Sequence, residues 1–507
     1  MRNQLLSKRV LSTALTIVLI AALQSCCSGT KQDAFKDKLT AYLKKDLPKV
    51  SVNSQKYAAY FDFTGAMTAC ANPETEQTFN GICQKITGDA TKFDIYKLGN
   101  TQISELTGEV RPAQIFAQLK SVQNNMEFYA PIEDALKKIV TEGRSAVLVT
   151  DFEEYTKDGQ IYRQAYATPY FKTWLACGGD ITFYVTDYNE GNIAKHLYYV
   201  VFDYNEHTLL KLVENALQGL PQNYKRFTLA TNSYPMGTNY LAASKGGTYH
   251  DASGDDIVSM SNEDGGDDGF FRLDSLRAES YCFGASWQDI VTNAKAQTAE
   301  NGADGQNGND QPFTHLFRNL FIDLSHSDSY KLNSLGVRVT DVNDDLEKYW
   351  AWTVAIQNKP VVKKENGEIV LDFTGHEKGE NYYDEQTGCL LSEYDYSKGA
   401  GKIAEFKDIL VFDSELFNNT YAKNPAAVEL GIKFNPNFNG EILQLGEGDH
   451  IFRVDIIVQS ASICNQDTLR ELFGWTGNDC LLYSVKNVLQ DMNPEGRPIY
   501  SYFIRMQ

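Results

Sequence analysis

The sequence predicts a doubly wound α/β layer over about 55–220, followed by a β-rich, sandwich-like region that runs to the C-terminus. Three observations carry this. Strand-like and helix-like segments alternate between about 55 and 220, as they do where helices cross over a largely parallel sheet. Ser145–Thr150 (SAVLVT) is a continuous run of the kind shown by a strand buried on both faces. Beyond about 222, helical periodicity nearly vanishes and alternating apolar runs take its place.

The N-terminus has its own pattern. Arg2, Lys8 and Arg9 give a basic start, and an apolar run follows from Val10 to Leu23. A spanning helix needs roughly 20 residues, so this shorter run reads as the core of an export signal. It ends in Leu23-Gln24-Ser25-Cys26, which resembles a bacterial lipobox. The resemblance implies that residues 1–25 are a lipoprotein signal peptide, cut before Cys26. The Cys26 thiol then carries a diacylglycerol and its new amino group is acylated, with Cys27 as a less suited neighbour. Residues 26–54 form the anchor and a short helix, in which Phe35, Leu39, Tyr42, Leu43 and Leu47 fall at helical spacing. That helix is expected to pack on the domain that follows it.

Within 55–220, Tyr57–Phe63, Phe93–Leu98, Ser145–Thr150, Ile181–Val185 and His196–Phe202 read as strands. Pro112–Val122, Pro131–Val140, Thr168–Ala176 and His207–Leu217 read as helices, the first two with proline in the first turn, where its missing N–H is harmless. A β-rich domain over 221–400 follows, with strands expected at Leu316–Leu324, Leu335–Val342, Tyr349–Ile356 and Ile369–Phe373. It includes two loops, Asp251–Asp274 and Glu300–Pro312, rich in Asp, Asn and Gly. A second β-rich domain, 401–507, has strands at Phe406–Phe412, Val428–Phe434 and Ile451–Val458. In the last, Phe452, Val454, Ile456 and Val458 share one face. A terminal helix, Ser484–Met492, and a strand, Ile499–Ile504, close the chain.

A formal net charge of -19 argues against nucleic acid and against docking on anionic lipid head groups. Of 9 cysteines, Cys70 with Cys83 and Cys464 with Cys480 are the candidate local disulfides in an exported chain, buried thiols being the alternative.

Tyr60-Phe61-Asp62-Phe63-Thr64-Gly65-Ala66-Met67 resembles the first strand and D-x-S-x-S metal motif of a von Willebrand factor A domain. Val147-Leu148-Val149-Thr150-Asp151 resembles the strand of that family that ends in Thr-Asp-Gly. Pro131-Ile132-Glu133-Asp134-Ala135-Leu136 sits where the family has a threonine loop and a helix. The resemblance covers about 55–220. It implies a divalent ion, Mg²⁺ or Ca²⁺, held by Asp62, Thr64 and Asp151 at the carboxyl edge of the sheet, with one position open to a partner's carboxylate. The sequence departs from the pattern at Ala66, at about Ala130 and at Phe152, where the family has serine, threonine and glycine. Glu127, Glu133 and Glu153 are the candidate substitutes. If no ion binds, Asp62 and Asp151 instead cap neighbouring helices. Asp264, Asp267 and Asp268, among Gly265, Gly266 and Gly269, form a looser candidate for Ca²⁺.

No histidine pair has metal-ligand spacing, and neither a G-x-S-x-G elbow nor a complete P-loop is present. The expectation is therefore a non-enzymatic protein-binding or assembly module, tethered to a membrane by its N-terminal lipid. A glycan- or nutrient-capture lipoprotein and a hydrolase of unknown class are the alternatives. No Asp follows Cys26, which favours the outer membrane. Surface lipoproteins of the Bacteroidota type often carry an acidic cluster after that cysteine; Cys27–Asp33 holds one acidic residue, which favours the periplasmic face.

Overall fold

The computed structural model describes residues 31–45, 56–230, 271–283, 315–357, 400–435 and 449–506, with short breaks inside these spans and a few short elements between 240 and 390. The signal peptide, Cys26, Glu300–Pro312 and the Asp264, Asp267 and Asp268 cluster lie outside the described residues. Among the described residues, no helix is long and apolar enough to cross a membrane.

After a first helix, α1 (Lys31–Lys44), the chain enters a seven-stranded sheet. Its strands are β1 (Tyr57–Asp62), β2 (Phe93–Gly99), β3 (Gln102–Glu105), β4 (Ala146–Thr150), β5 (Gly179–Glu190), β6 (Ile193–Tyr204) and β7 (Lys225–Leu229). Their order is β3-β2-β1-β4-β6-β5-β7. Only β2, β1 and β4 run parallel to their neighbours in this set; every other pairing is antiparallel. The antiparallel half follows from one turn. Glu190 pairs with Ile193 across Gly191, at φ 61°, and so tight a connection can join only antiparallel strands. The hairpin extends both strands well beyond the apolar stretches that mark them in the sequence.

Helices cover both faces. On one lie α2 (Glu76–Gly88), α3 (Pro112–Lys120) and α6 (Thr208–Leu217), on the other α4 (Ile132–Glu142) and α5 (Thr168–Ala176). Strand β4 is buried at all its positions, and successive residues feed opposite cores: Val147 and Val149 join one cluster, Ala146 and Leu148 the other. In α4, Ile132, Ala135, Leu136 and Ile139 form one buried stripe at helical spacing.

The second half is built on two further sheets. The main strands are β8 (Ala278–Phe283), β9 (His315–Ile322), β10 (Tyr330–Asp341), β11 (Ala404–Phe406), β12 (Leu410–Phe412), β13 (Val428–Phe434), β14 (His450–Ile463) and β15 (Pro498–Met506). An eight-stranded sheet contains the run β11-β10-β14-β15-β8, and a four-stranded sheet the run β12-β13-β9. Both sheets feed one core: Phe317, Leu320 and Leu430 from the smaller meet Leu335, Ile456 and Tyr502 from the larger. Phe452, Val454, Ile456 and Val458 of β14 all point into it. Strands from 221–400 and from 401–507 interleave in both sheets, so the two stretches share this core.

Three expectations are corrected here. Phe406–Phe412 is not one strand: Ala404–Phe406 and Leu410–Phe412 are separate and belong to different sheets. Tyr349–Ile356 is not a strand but part of helix α7 (Asn343–Gln357); Asp344 and Asp345 occupy its first turn, and Leu346 and Tyr349 bury one face. Helix α1 does not pack on the α/β layer. It lies with α7 on the outer face of the eight-stranded sheet, where Leu39 and Tyr42 meet Leu346, Tyr349 and Phe503. Tyr42 Oη donates to Asp345 at 2.7 Å, and Lys45 and Lys38 pair with Asp345 and Glu347 at 2.8 and 2.5 Å. These partners lie some 300 residues downstream, beyond the reach of a local pattern.

Helix α8 (Ser414–Lys423) packs beside β13. The last helices, α9 (Gln466–Phe473) and α10 (Cys480–Asp491), return to the α/β layer. Leu472, Phe473, Leu482 and Val485 join the cluster of Trp174, Phe183 and Tyr198. Tyr198 Oη donates to the Leu472 carbonyl at 2.9 Å, and Tyr330 Oη to that of Leu489 at 2.8 Å. The C-terminal segment thus completes the helical cover of the first sheet.

Candidate functional site

β1 and β4 are adjacent and parallel, with Phe61 opposite Val149, so Asp62 and Thr150 lie side by side at the same carboxyl edge. Asp62 is fully buried, and both of its oxygens are engaged. Oδ1 accepts from the Thr64 amide at 2.9 Å and from Thr64 Oγ1 at 2.7 Å, and Oδ2 accepts from Thr150 Oγ1 at 2.8 Å. One residue beyond β4, buried Asp151 accepts from the Glu153 amide at 3.0 Å and from Tyr188 Oη at 3.3 Å. Asp62, Thr64 and Asp151 therefore do gather at one place. Asp62 thereby holds the amide of Thr64, which caps the short 3-10 helix Gly65–Ala71, whereas the side chain of Asp151 bonds Glu153 and Tyr188 within this edge cluster.

Phe152, the residue after Asp151, has φ 60°. It adopts the left-handed conformation that a glycine takes readily. Its ring is buried against Phe171 and Tyr198, at 6.4 and 5.5 Å, which holds the strained backbone in place.

The β5–β6 hairpin supplies what the motifs lacked. Lys195 is opposite Tyr188 in the ladder, and only 6% of its surface is exposed. Its Nζ lies 2.5 Å from Glu190 Oε2, 2.8 Å from Glu153 Oε2 and 3.7 Å from Asp151 Oδ2. Tyr155 Oη donates to Glu153 Oε2 at 2.9 Å. Glu190 also closes over Gly65: a Cβ there would fall 2.5 Å from Glu190 Oε1, so only glycine admits this carboxylate without a shift.

The electrostatics follow from burial. Burial raises the carboxyl of Asp62 above its usual range. Burial, with the charges of Asp62 and Glu153 adding, pushes Asp151 up to about 8. Burial works against the Lys195 ammonium, but Asp151, Glu153 and Glu190 outweigh it and hold the lysine above its usual range.

The divalent ion implied by the resemblance does not fit these residues. A hard cation of this kind takes about six oxygen ligands. Here Asp62 has given both oxygens to hydroxyl and amide donors, and an ammonium sits among the carboxylates of Asp151, Glu153 and Glu190. Ala66 and Ala130 are methyls in the core. Of the three possible substitutes only Glu153 joins the cluster; Glu127 pairs with Lys97 at 2.6 Å and Glu133 accepts from Tyr170 at 3.0 Å. Among the described residues, no three His, Cys, Asp or Glu side chains gather as a metal site.

Beside this cluster lies an aromatic patch. The Glu127 amide donates to the Phe63 carbonyl at 2.8 Å, which fixes the loop before α4 against the end of β1. Phe128 on that loop is 84% exposed, its ring 6.4 Å from that of Tyr129, which is 5.8 Å from that of Tyr155.

Of the four cysteines weighed as disulfides, Cys83, Cys464 and Cys480 stand as thiols. Cys83 is buried in the core between α2 and the first sheet, and Cys480 opens α10 within the opposite core, whereas Cys464 follows β14. The side chain of Cys70 lies outside the described residues.

Tyr188, Glu190 and Lys195 escaped the sequence reading. One signal was available: Asn189-Glu190-Gly191-Asn192 between two strand patterns is a hairpin turn, and extending both strands to it brings these residues to the edge. No family model, no curated protein and no solved structure matches the chain.

Proposed function

We propose that this chain is a lipid-anchored cell-envelope protein that holds another protein through the carboxyl edge of its A-like α/β layer. The observation that carries the reading is Phe128, a large apolar ring 84% exposed beside Tyr129, Tyr155 and the buried charge cluster at that edge. Interface energy concentrates in a few anchor residues, among which large aromatic side chains such as Tyr and Trp are enriched. Open α/β sheets place their ligands at this edge. Two further features support an A-like layer: the order β3-β2-β1-β4, with an antiparallel edge strand, and the Asp62–Thr64–Asp151 grouping. In this reading Cys26 carries the lipid, and the outer membrane, periplasmic face, is the site of action.

The test is cross-linking and capture from detergent-solubilised envelope with the full chain, comparing wild type with Phe128→Ser. A partner retained by wild type and lost from the variant supports the reading; equal capture by both ends it. The same three rings favour glycan or nutrient capture as a second reading, since sugars stack on such platforms. Phe128-dependent retention on a glycan array without a protein partner would select it.

A further inference from the structure

We propose that Lys195 is a tethered substitute for a divalent cation, so that the carboxyl edge of the first sheet is held together without metal. Three observations converge on it. First, four acidic side chains, Asp62, Asp151, Glu153 and Glu190, crowd the ends of β1 and β4, and the ammonium of Lys195 lies within 4 Å of three of them. Lysine is rarely this buried unless its charge is matched, and its three N–H donors suit a compact set of oxygen acceptors. Second, the fold delivers this ammonium by construction. The Gly191 turn sets the hairpin register, which places Lys195 opposite Tyr188, and Tyr188 Oη itself donates to Asp151. Third, the surroundings are shaped to the lysine. Glu190 reaches its Nζ by crossing Gly65, where a Cβ would intrude, and Glu153 is braced by Tyr155. A covalently attached cation cannot dissociate, so the charge at this edge does not depend on ion concentration.

The experiment uses the purified full chain. Mn²⁺ binding is measured by electron paramagnetic resonance, and thermal unfolding is followed with Mn²⁺, with Ca²⁺ and with EDTA. Wild type is expected to bind no stoichiometric Mn²⁺ at millimolar concentration and to unfold at one temperature in all three conditions. Lys195→Met is expected to unfold at lower temperature and to regain stability with Mn²⁺ or Ca²⁺. Its Mn²⁺ affinity should exceed that of wild type by at least about tenfold, as removal of an adjacent like charge requires, and Asp151→Asn added to it should abolish the gain. Lys195→Arg, which keeps the charge, should not respond to metal. One Mn²⁺ bound per wild-type chain and lost in Asp151→Asn overturns the proposal, and that arm stands whether or not Lys195→Met folds. A folded Lys195→Met as stable as wild type and indifferent to ions overturns it as well. None of these readouts needs a docked partner, so a negative result leaves the protein-binding reading untouched.

Discussion

Glu190 and Lys195, on opposite sides of one hairpin turn, close an ion pair of 2.5 Å over the backbone of Gly65 at the end of a different strand. The pair ties the hairpin to the loop after β1, and it can do so only because residue 65 has no side chain.

Gly65→Ala should therefore act through Glu190. The new methyl displaces the carboxylate, whose side chain can swing toward solvent, so the loss is the ion pair and not the fold. A destabilisation of about 1 kcal/mol is expected for a partly screened pair of this kind. Chemical denaturation of Gly65→Ala, Glu190→Gln and the double variant checks it. The double variant should be no less stable than Gly65→Ala alone; additive losses would mean that the two positions act independently.

Phe152 yields a reversal of the usual rule for glycine. Its left-handed backbone is strained by about 1 kcal/mol or more, and its buried ring contributes about 3–5 kcal/mol. Phe152→Ala loses the ring and keeps the strain, whereas Phe152→Gly loses the ring and relieves it. Both variants should be destabilised, with glycine the more stable of the two by about 1 kcal/mol. Unfolding midpoints that rank alanine above glycine would show that the φ of 60° is not maintained in solution.

The alternation of strands and helices over 55–220 was legible because each element carries its own period. The convergence of Asp62, Thr64 and Asp151 was legible because residues at the ends of adjacent parallel strands must meet. What decides the chemistry was harder to read. Lys195 lies 44 residues beyond Asp151, and although period two puts it on the face of buried Leu197, Tyr199 and Val201, a lysine near a strand end reads as solvent-facing until the hairpin register sets it beside the carboxylates. The partners of α1 and the returning helices α9 and α10 were hidden for the same reason. Their apolar faces are visible in the sequence, but the surface that covers them lies hundreds of residues away. The aromatic run around Tyr349 misled because Tyr and Trp favour strands, while two acidic residues at a helix start outweighed that preference.

Phe128 separates binding from stability. It is 84% exposed, so Phe128→Ser should leave the unfolding free energy within about 0.5 kcal/mol of wild type. Partner capture should fall by at least about tenfold, the size expected for an anchor residue. A loss of capture accompanied by a comparable loss of stability would assign the ring to folding and not to docking.

Glu154 sets a pH dependence. Its Oε2 accepts the amides of Ile132 and Glu133 at 2.7 and 3.0 Å, at the N-terminus of α4. Burial nevertheless raises its carboxyl to about 7, the N–H bonds opposing and the charges of Glu133 and Asp134 adding. In the unfolded chain the group ionises near 4.5, so between there and about 7 the native state holds a proton that the unfolded state has released. The contribution to stability is therefore complete below the lower value and is lost as pH rises through the upper one. Glu154→Gln retains an amide oxygen for both N–H groups and carries no charge to bury. Relative to wild type, the variant should gain about 2 °C or more in unfolding temperature between pH 5 and pH 8. Parallel pH profiles for the two proteins would show that this carboxylate is solvated in solution and that the helix start does not force its proton to remain.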